Sequence, residues 1–338
     1  MKFFRIKILC LVFSLISLAA QAQTADDATS LIKQAVQLNN QGKYADAVDK
    51  YTQALKLEPD NMNANYGIAF SLLQSDKAKD GIPYLEKVIK ANGSLTAYAY
   101  DLLGSIYDKS HESAKAIEAF NAGIKTDPKY QRLYYNLSLV YFRDKNYDEA
   151  EKCVIQSIKI DPKHANSQRI YALVCFHQNK RASALLGLCS FILLEPATAR
   201  SAEAYGNIQH ILQGGVLKQD ANMPALMTDA NNIALNNAIT QQTGLADKKQ
   251  YPAPADHLTA QLTAIFNAIG PLADKQAGND FFKNYYADFF YKMAQSPNMK
   301  AFAHLASQSV PENAEWIKNN ADQMTALDNW VKNTERSF

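Results

Sequence analysis

The residues in this chain best suited to hold a metal or carry a proton near neutral pH are six histidines: His111, His164, His177, His210, His257 and His304. Their spacing supports neither role. None forms a His-Glu-x-x-His pair, which sets two imidazoles on one helix face around zinc, and none has another close metal-ligand spacing. His111 falls in a turn-like "HES". The four cysteines, Cys10, Cys153, Cys175 and Cys189, include no Cys-x-x-Cys. The "QGG" at 213–215 lacks the lysine and hydroxyl residue of a phosphate loop, and no Gly-x-Ser-x-Gly elbow presents a nucleophile. Glu312 and Glu315 stand where carboxylates steady the start of a helix rather than where a catalytic pair is needed. The reading is therefore of a protein that is not an enzyme, with no catalytic residue, no cofactor and no metal. A polar cluster around His257 and His304 in a pocket would mark the opposite, a small hydrolase or ligand-binding domain.

Aromatic rings are concentrated in one stretch. In "DFFKNYYADFFYK", residues 280–292, seven of thirteen residues are aromatic, at 281, 282, 285, 286 and 289–291. A spacing near four gathers them into one band of a helix. The other faces carry two lysines and two aspartates, whereas a helix lying on a membrane carries a lysine-rich face. Between docking face and core, core is preferred, because no other part of the last third has comparable apolar bulk.

The elements that position these residues begin with a basic start (Lys2, Arg5, Lys7), a thirteen-residue apolar run from Ile8 to Ala20, and Ala20-Gln21-Ala22. That pattern reads as a signal peptide, residues 1–22, cut before Gln23, and so as an exported protein, periplasmic or secreted. Cys10 comes too early for a lipid anchor. The run is shorter than the roughly 20 residues of a spanning helix, and no later segment is apolar enough to span. Removing it leaves 32 Lys and Arg against 33 Asp and Glu, from the 35 and 33 of the whole chain. A charge near −1 disfavours nucleic acid or an anionic membrane as the main partner. Three cysteines in the remainder are not a disulfide framework; buried free thiols are expected, with a Cys153–Cys175 bridge as the alternative.

Self-similarity organises the first two thirds. "ALKLEPDN", "GIKTDPKY", "SIKIDPKH" and "FILLEPAT" carry Pro59, Pro128, Pro162 and Pro196, and "VIKANGSL" puts Gly93 in the missing place, giving spacings of 34, 35, 34 and 34 residues. Each is a helix-ending residue after a helical pattern. Small residues recur in two columns, Ala35, Ala69, Gly104, Ser138, Ala172 and Ala47, Gly81, Ala116, Ala150, Ala184, with large residues Tyr51, Leu85, Phe120, Val154 and Leu188 beside the second. The stretches between the columns ("NNQGKY", "QSDKAK", "DKSHES", "RDKNYD", "HQNKRA") read as turns. This 34-residue helix–turn–helix resembles the tetratricopeptide repeat family over five tandem units, 28–61, 62–96, 97–130, 131–164 and 165–198. Gln34, Asn65 and Gly93 depart from the pattern. The expected fold is all-α, a right-handed superhelical TPR solenoid followed by a small helical C-terminal domain, since stacked pairs share a core that single pairs lack.

The resemblance implies a protein-binding scaffold with a concave groove lined by the first helix of each repeat. On this sequence the groove positions are Ile32, Val36, Tyr66, Phe70, Tyr98, Asp101, Arg132, Tyr135, Phe142, Arg143, Arg169, Phe176 and His177. Rings for packing and guanidiniums for carboxylates suit a protein or peptide partner. The chaperone-binding subtype of the family holds a terminal carboxylate with a Lys and Asn clamp; Ile32 and Val36 stand there, which favours an apolar or aromatic groove. Residues 199–224 read as a capping helix and linker, and 225–338 as an all-helical domain with helices at about 226–243, 255–269, 279–295, 298–307 and 312–334. Ser309 is the expected N-cap of the last, with Pro311 just inside it. The alternatives to a scaffold are a repeat arm targeting an active tail, or a structural spacer in an envelope assembly.

Overall fold

The computed structural model describes residues 27–214, 230–245, 251, 253–275 and 280–338. The expected signal peptide, Cys10 and most of the expected linker lie outside them. No strand occurs among the described residues. By their packing they form two compact units, divided between Val140 and Tyr141 inside the fourth repeat.

The first unit holds α1 (27–40), α2 (Tyr44–Leu57), α3 (Met62–Gln74), a 3-10 turn (Ala78–Gly81), α4 (Ile82–Ala91), α5 (Thr96–Lys109), α6 (Ser113–Thr126) and most of α7 (Gln131–Arg143). The tightness of the pairs comes from the small columns. A Cβ on Gly81 would stand 3.1 Å from the backbone of Ala69, so two small residues, one from each column, are where these helices meet. At Gly104 the space a methyl group would take is filled by the buried ring of Phe120, 2.5 Å from the ideal Cβ position. Close approach of this kind leaves no room for branched side chains.

The turns inside the pairs obey one rule. Gly42, Asp76, His111, Lys145 and Asn179 all have positive φ, between 58° and 74°, and recur at the repeat interval. Only the first is glycine; the other four adopt a left-handed backbone in which L side chains are uncommon. Helix starts are capped locally in places, as where Asn61 Oδ1 accepts the Ala64 amide at 3.0 Å. The irregular Asn65 is buried at 1% exposure, its amide donating to the carbonyls of Asn61 (2.9 Å) and Pro59 (3.3 Å).

The second unit holds the end of α7, then α8 (Tyr147–Ile160), α9 (Ala165–His177), α10 (Arg181–Leu194), α11 (Ala199–Leu212), α12 (Ala230–Leu245) and the tail helices. The repeat phase runs past Pro196. Helix α11 begins 34 residues after α9, Gly206 continues the first small column, and Gly214 (φ 79°) continues the left-handed turns. Helix α11 is thus the first helix of a sixth unit, and Thr198 opens it with a capping box shared with Ser201. Helix α12 locks the turn before α10: Asn236 donates to the Asn179 carbonyl at 2.7 Å and accepts the Arg181 amide at 3.0 Å.

In the tail, α13 (Pro254–Asp274) runs longer than the sequence suggests, carrying Pro271 in its last turn. The aromatic segment follows, with Phe282–Ala287 wound as a π-helix and Asp288–Ala294 as α14. The chain ends in α15 (Met299–Ala306), α16 (Pro311–Asn319) and α17 (Ala321–Asn333). Two expectations are corrected. The last pattern is two helices broken at Asn320 (φ −127°, ψ 47°), whose amide turns back to the Trp316 carbonyl at 2.8 Å. Val310, not Ser309, precedes α16, with Pro311 at its first position, where the missing N–H costs nothing.

The rings of 281–290 are interior. Phe282, Tyr285, Tyr286, Phe289 and Phe290 are buried, and only Tyr291 is exposed. Phe290 packs on Phe266 of α13 (4.9 Å) and Phe302 of α15 (6.1 Å), the core of the tail. The band also reaches the repeats. Tyr286 stacks on Tyr171 of α9 at 5.0 Å and donates to Gln168 Oε1 at 2.5 Å. Gln168 Nε2 donates to the Tyr285 hydroxyl (2.8 Å) and to the Pro162 carbonyl (3.1 Å), and Tyr285 donates to that carbonyl at 3.2 Å. A fully buried amide is thereby satisfied by two residues about 117 positions away.

Candidate functional site

Within the first unit one polar and aromatic cluster gathers several of the expected groove residues. Asp101, on the middle of α5, is only 1% exposed. Its Oδ2 accepts from Arg132 Nε at 3.0 Å and from the Tyr130 hydroxyl at 3.4 Å, and Oδ1 accepts from Asn136 Nδ2 at 2.7 Å. Burial outweighs these three donors and holds the Asp101 carboxyl above its usual range. The guanidinium it anchors is half in solvent. The Tyr98 ring, 42% exposed, lies 4.6 Å from Tyr130, tilted by 44°. Burial raises the Tyr66 hydroxyl, and Arg132 opposes that shift. Burial and then Asp101 push Tyr130 well up, so the phenols are neutral hydrogen-bonding groups at physiological pH.

The parts have different duties. Asp101 is buried and fixes Arg132, whose planar fork suits a carboxylate. Tyr98 supplies the exposed ring, with Tyr66 partly buried beside it. Phe70 packs with Tyr66 against the core of the first unit, and Ile32 likewise serves the core beneath α1, while Val36 is exposed. Tyr135 is half-buried, its carbonyl accepting from Ser138 at 2.6 Å.

The second unit brings together a second set. Phe142, Tyr147 and His177 form a triad, His177 lying flat on Tyr147 (4.9 Å, 14°) and edge-on to Phe142 (5.3 Å). Burial, then Lys145, lower the His177 pKa, so the stacked imidazole is neutral near pH 7. Arg169 is bound by both oxygens of Glu203, at 3.0 and 3.1 Å. Phe176 meets His210 edge-on at 5.8 Å, and Arg143 is exposed at the end of α7. Tyr130, Asn136, Tyr147, Glu203 and His210 were not among the expected residues. Asn136 lies one turn beyond Arg132 on α7, a spacing that puts both on one face. Tyr130 occupies the position where Asn61 and Thr198 cap their helices, and its side chain reaches Asp101.

The tail shows a different chemistry. His304 is buried and stacked on Trp316, centroids 3.8 Å apart at 7°, with burial lowering its pKa. An open recess of about 690 Å³ along α13 is lined by Tyr251, Asp256, Thr259, Thr263 and Asn267, with neither His257 nor His304 among its described residues. No group of three His, Cys, Asp or Glu side chains able to hold a metal occurs among the described residues. Cys153, Cys175 and Cys189 are free; burial pushes Cys153 up to about 12 and the other two further, so none is a reactive thiolate at neutral pH. No described helix is long and apolar enough to cross a membrane.

Comparison with known proteins agrees with the helical hairpins. A TPR repeat model matches residues 34–76, and a tetratricopeptide repeat model matches 97–130 and 131–164. Human tetratricopeptide repeat protein 6 is 26% identical over 127 residues, 38% of this chain and 24% of its own length. The TPR repeat-containing protein YpiA of Bacillus subtilis is 31% identical over 126 residues, 36% of this chain and 29% of its length. This chain thus spans only about a quarter of the curated relatives it matches. The solved structure of pilF from Pseudomonas aeruginosa aligns with a TM-score of 0.51 at 15% identity, covering 70% of this chain and 96% of that one, a likeness of fold alone. Tetratricopeptide proteins are in general protein-interaction scaffolds. The matches and the hairpins together make this chain an all-helical tetratricopeptide repeat protein.

Proposed function

We propose that the chain is an exported, non-enzymatic scaffold that binds a partner protein or peptide on the inner faces of its repeats. The observation that carries this reading is the Asp101–Arg132 pair. A buried carboxylate is spent on orienting an arginine that stays half in solvent, beside the exposed ring of Tyr98. A structural ion pair needs no exposed guanidinium, and a solvated surface arginine needs no buried anchor. Arg and Tyr are also the residues that most often dominate interfaces. The expected ligand is an extended segment carrying a carboxylate for Arg132 and an apolar or aromatic side chain for Tyr98 and Tyr66. In this reading the five units over 28–198 form the binding arm, residues 199–224 cap it, and 225–338 brace its end.

Co-purification from an envelope extract identifies the partner, and isothermal titration with wild type, Arg132→Ala and Tyr98→Ala then tests the site. Each variant is expected to weaken binding by about 1–2 kcal/mol with the circular dichroism unchanged. Equal affinity for all three proteins would remove the site from the reading. Export is tested by the mature amino terminus: the reading requires Gln23 first and the protein in the envelope fraction. An uncut chain in the cytosol contradicts it.

A further inference from the structure

The last residues of the chain lie on the aromatic band. Helix α17 stops at Asn333, and Thr334 turns to an extended backbone (φ −97°, ψ 105°). Two anchors follow. The Arg336 guanidinium sits 3.7 Å from the Phe289 ring centroid, 5.0 Å from Tyr285 and 5.6 Å from Phe290, and Nη1 donates to Ser190 Oγ of α10 at 2.8 Å. The Phe338 ring stacks on Tyr285 at 5.2 Å and 10° and runs parallel to Phe281 at 6.4 Å. Glu335 and Ser337, between and before the anchors, are exposed. Alternate residues in and out are the mark of an extended peptide lying on a surface. The partners of Arg336 are rings and the hydroxyls of Ser190 and Tyr285, the chemistry by which a guanidinium recognises an aromatic surface without a countercharge. Phe338 remains 47% exposed, so the recess opens to solvent.

We propose that the face formed by Ser190, Phe281, Tyr285 and Phe289 is a peptide-binding site for an extended Arg-x-aromatic segment, occupied in cis by residues 336–338. The receptor half also has contacts of its own, apart from the strap that residues 334–338 form. Phe281 and Tyr285 stack on each other at 5.3 Å and 8°, Tyr285 is fixed by Gln168, and Ser190 is buried on α10. The ligand half comes after the last helix, joined to it by a single capped turn at Thr334. A segment of another molecule with an arginine two residues before an aromatic ring satisfies the same contacts and competes with the strap. This site is separate from the Arg132 cluster and stands without it.

The test uses a fluorescein-labelled, amidated peptide of residues 331–338 and the chain lacking residues 334–338. Anisotropy is expected to show saturable binding to the shortened chain. The intact chain should bind about ten-fold more weakly, because its own strap is present at an effective concentration in the millimolar range. Peptides with Arg336→Ala or Phe338→Ala should lose at least about ten-fold in affinity. If the shortened chain fails to refold, the full-length Arg336→Lys, Phe338→Ala chain replaces it as receptor. The proposal is overturned if the peptide stays free beside folded receptor, if intact and vacated chains bind it equally, or if the Arg336→Ala peptide binds as well as its parent.

Discussion

Replacing Gln168 by alanine should unseat the aromatic band from α9, and the cost follows from the geometry. The Gln168 side chain is fully buried and donates to Tyr285 and Pro162 while accepting from Tyr286 at 2.5 Å. Alanine leaves the Pro162 carbonyl with Tyr285 as donor but strips the wholly buried Tyr286 hydroxyl of its acceptor. An orphaned buried hydroxyl costs about 1–3 kcal/mol. The cavity left by the amide arm adds about 1 kcal/mol or more. A total of about 3 kcal/mol corresponds to a fall of roughly 1–2 M in the urea midpoint. Trp316 and Trp330 are the only tryptophans and both lie in the second unit, so their fluorescence reads its unfolding directly. A double-mutant cycle with Tyr286→Phe isolates the cause. In wild type that change should cost about 1 kcal/mol; in the Gln168→Ala background it should cost nothing or stabilise, because it removes the orphan. If Tyr286→Phe costs the same in both backgrounds, or Gln168→Ala shifts the midpoint by less than about 0.2 M, the network is not what seats the band.

Three further outcomes are expected. Gly104→Ala should destabilise the first unit by about 1–3 kcal/mol in thermal unfolding, since its Cβ would meet the Phe120 ring at 2.5 Å; an unchanged midpoint would show that the ring moves freely. Asp101 makes stability pH-dependent: its folded pKa lies above the ordinary 3.8, so its contribution is full below that value and is lost as pH rises through the folded one. Asp101→Asn should flatten that slope in urea midpoints taken from pH 4 to 7, and parallel curves for the two proteins would refute the burial argument. Cys153, Cys175 and Cys189 should resist a thiol reagent at pH 8 while folded and react fully in urea; rapid labelling of Cys175 or Cys189 in the native state would contradict their burial.

The architecture was legible because the signal was redundant. Helix-ending residues at 59, 93, 128, 162 and 196 and two columns of small residues repeat the same constraint many times, so single departures such as Asn65 do not erase it. The helix after Pro196 was legible as a cap but not as a sixth first helix, because residue 230, where the next proline belongs, is alanine, although Gly206 and Gly214 carry the phase onward. The left-handed turns were invisible by residue type, since Asp76, His111, Lys145 and Asn179 share little beyond their place in the repeat. Asp101 and Arg132 were legible as groove positions, but their division of labour was not. Burial made one an anchor and left the other half in solvent, and the partners Tyr130 and Asn136 come from 29 and 35 residues away. The aromatic band was recognised as interior. Its second contact, with Gln168 and Tyr171 of α9, is a long-range pairing that no local pattern encodes.

Site-specific photo-crosslinking in the living cell tests the central reading most directly. A benzoyl-phenylalanine at Tyr98, exposed on α5 beside Arg132, and another at Glu118, exposed on α6, sample the first and second helices of one repeat. The account predicts a discrete adduct with one protein from position 98, lost with Arg132→Ala, and none from position 118. Adducts from 118 alone, or a position-98 adduct that Arg132→Ala leaves intact, would contradict it.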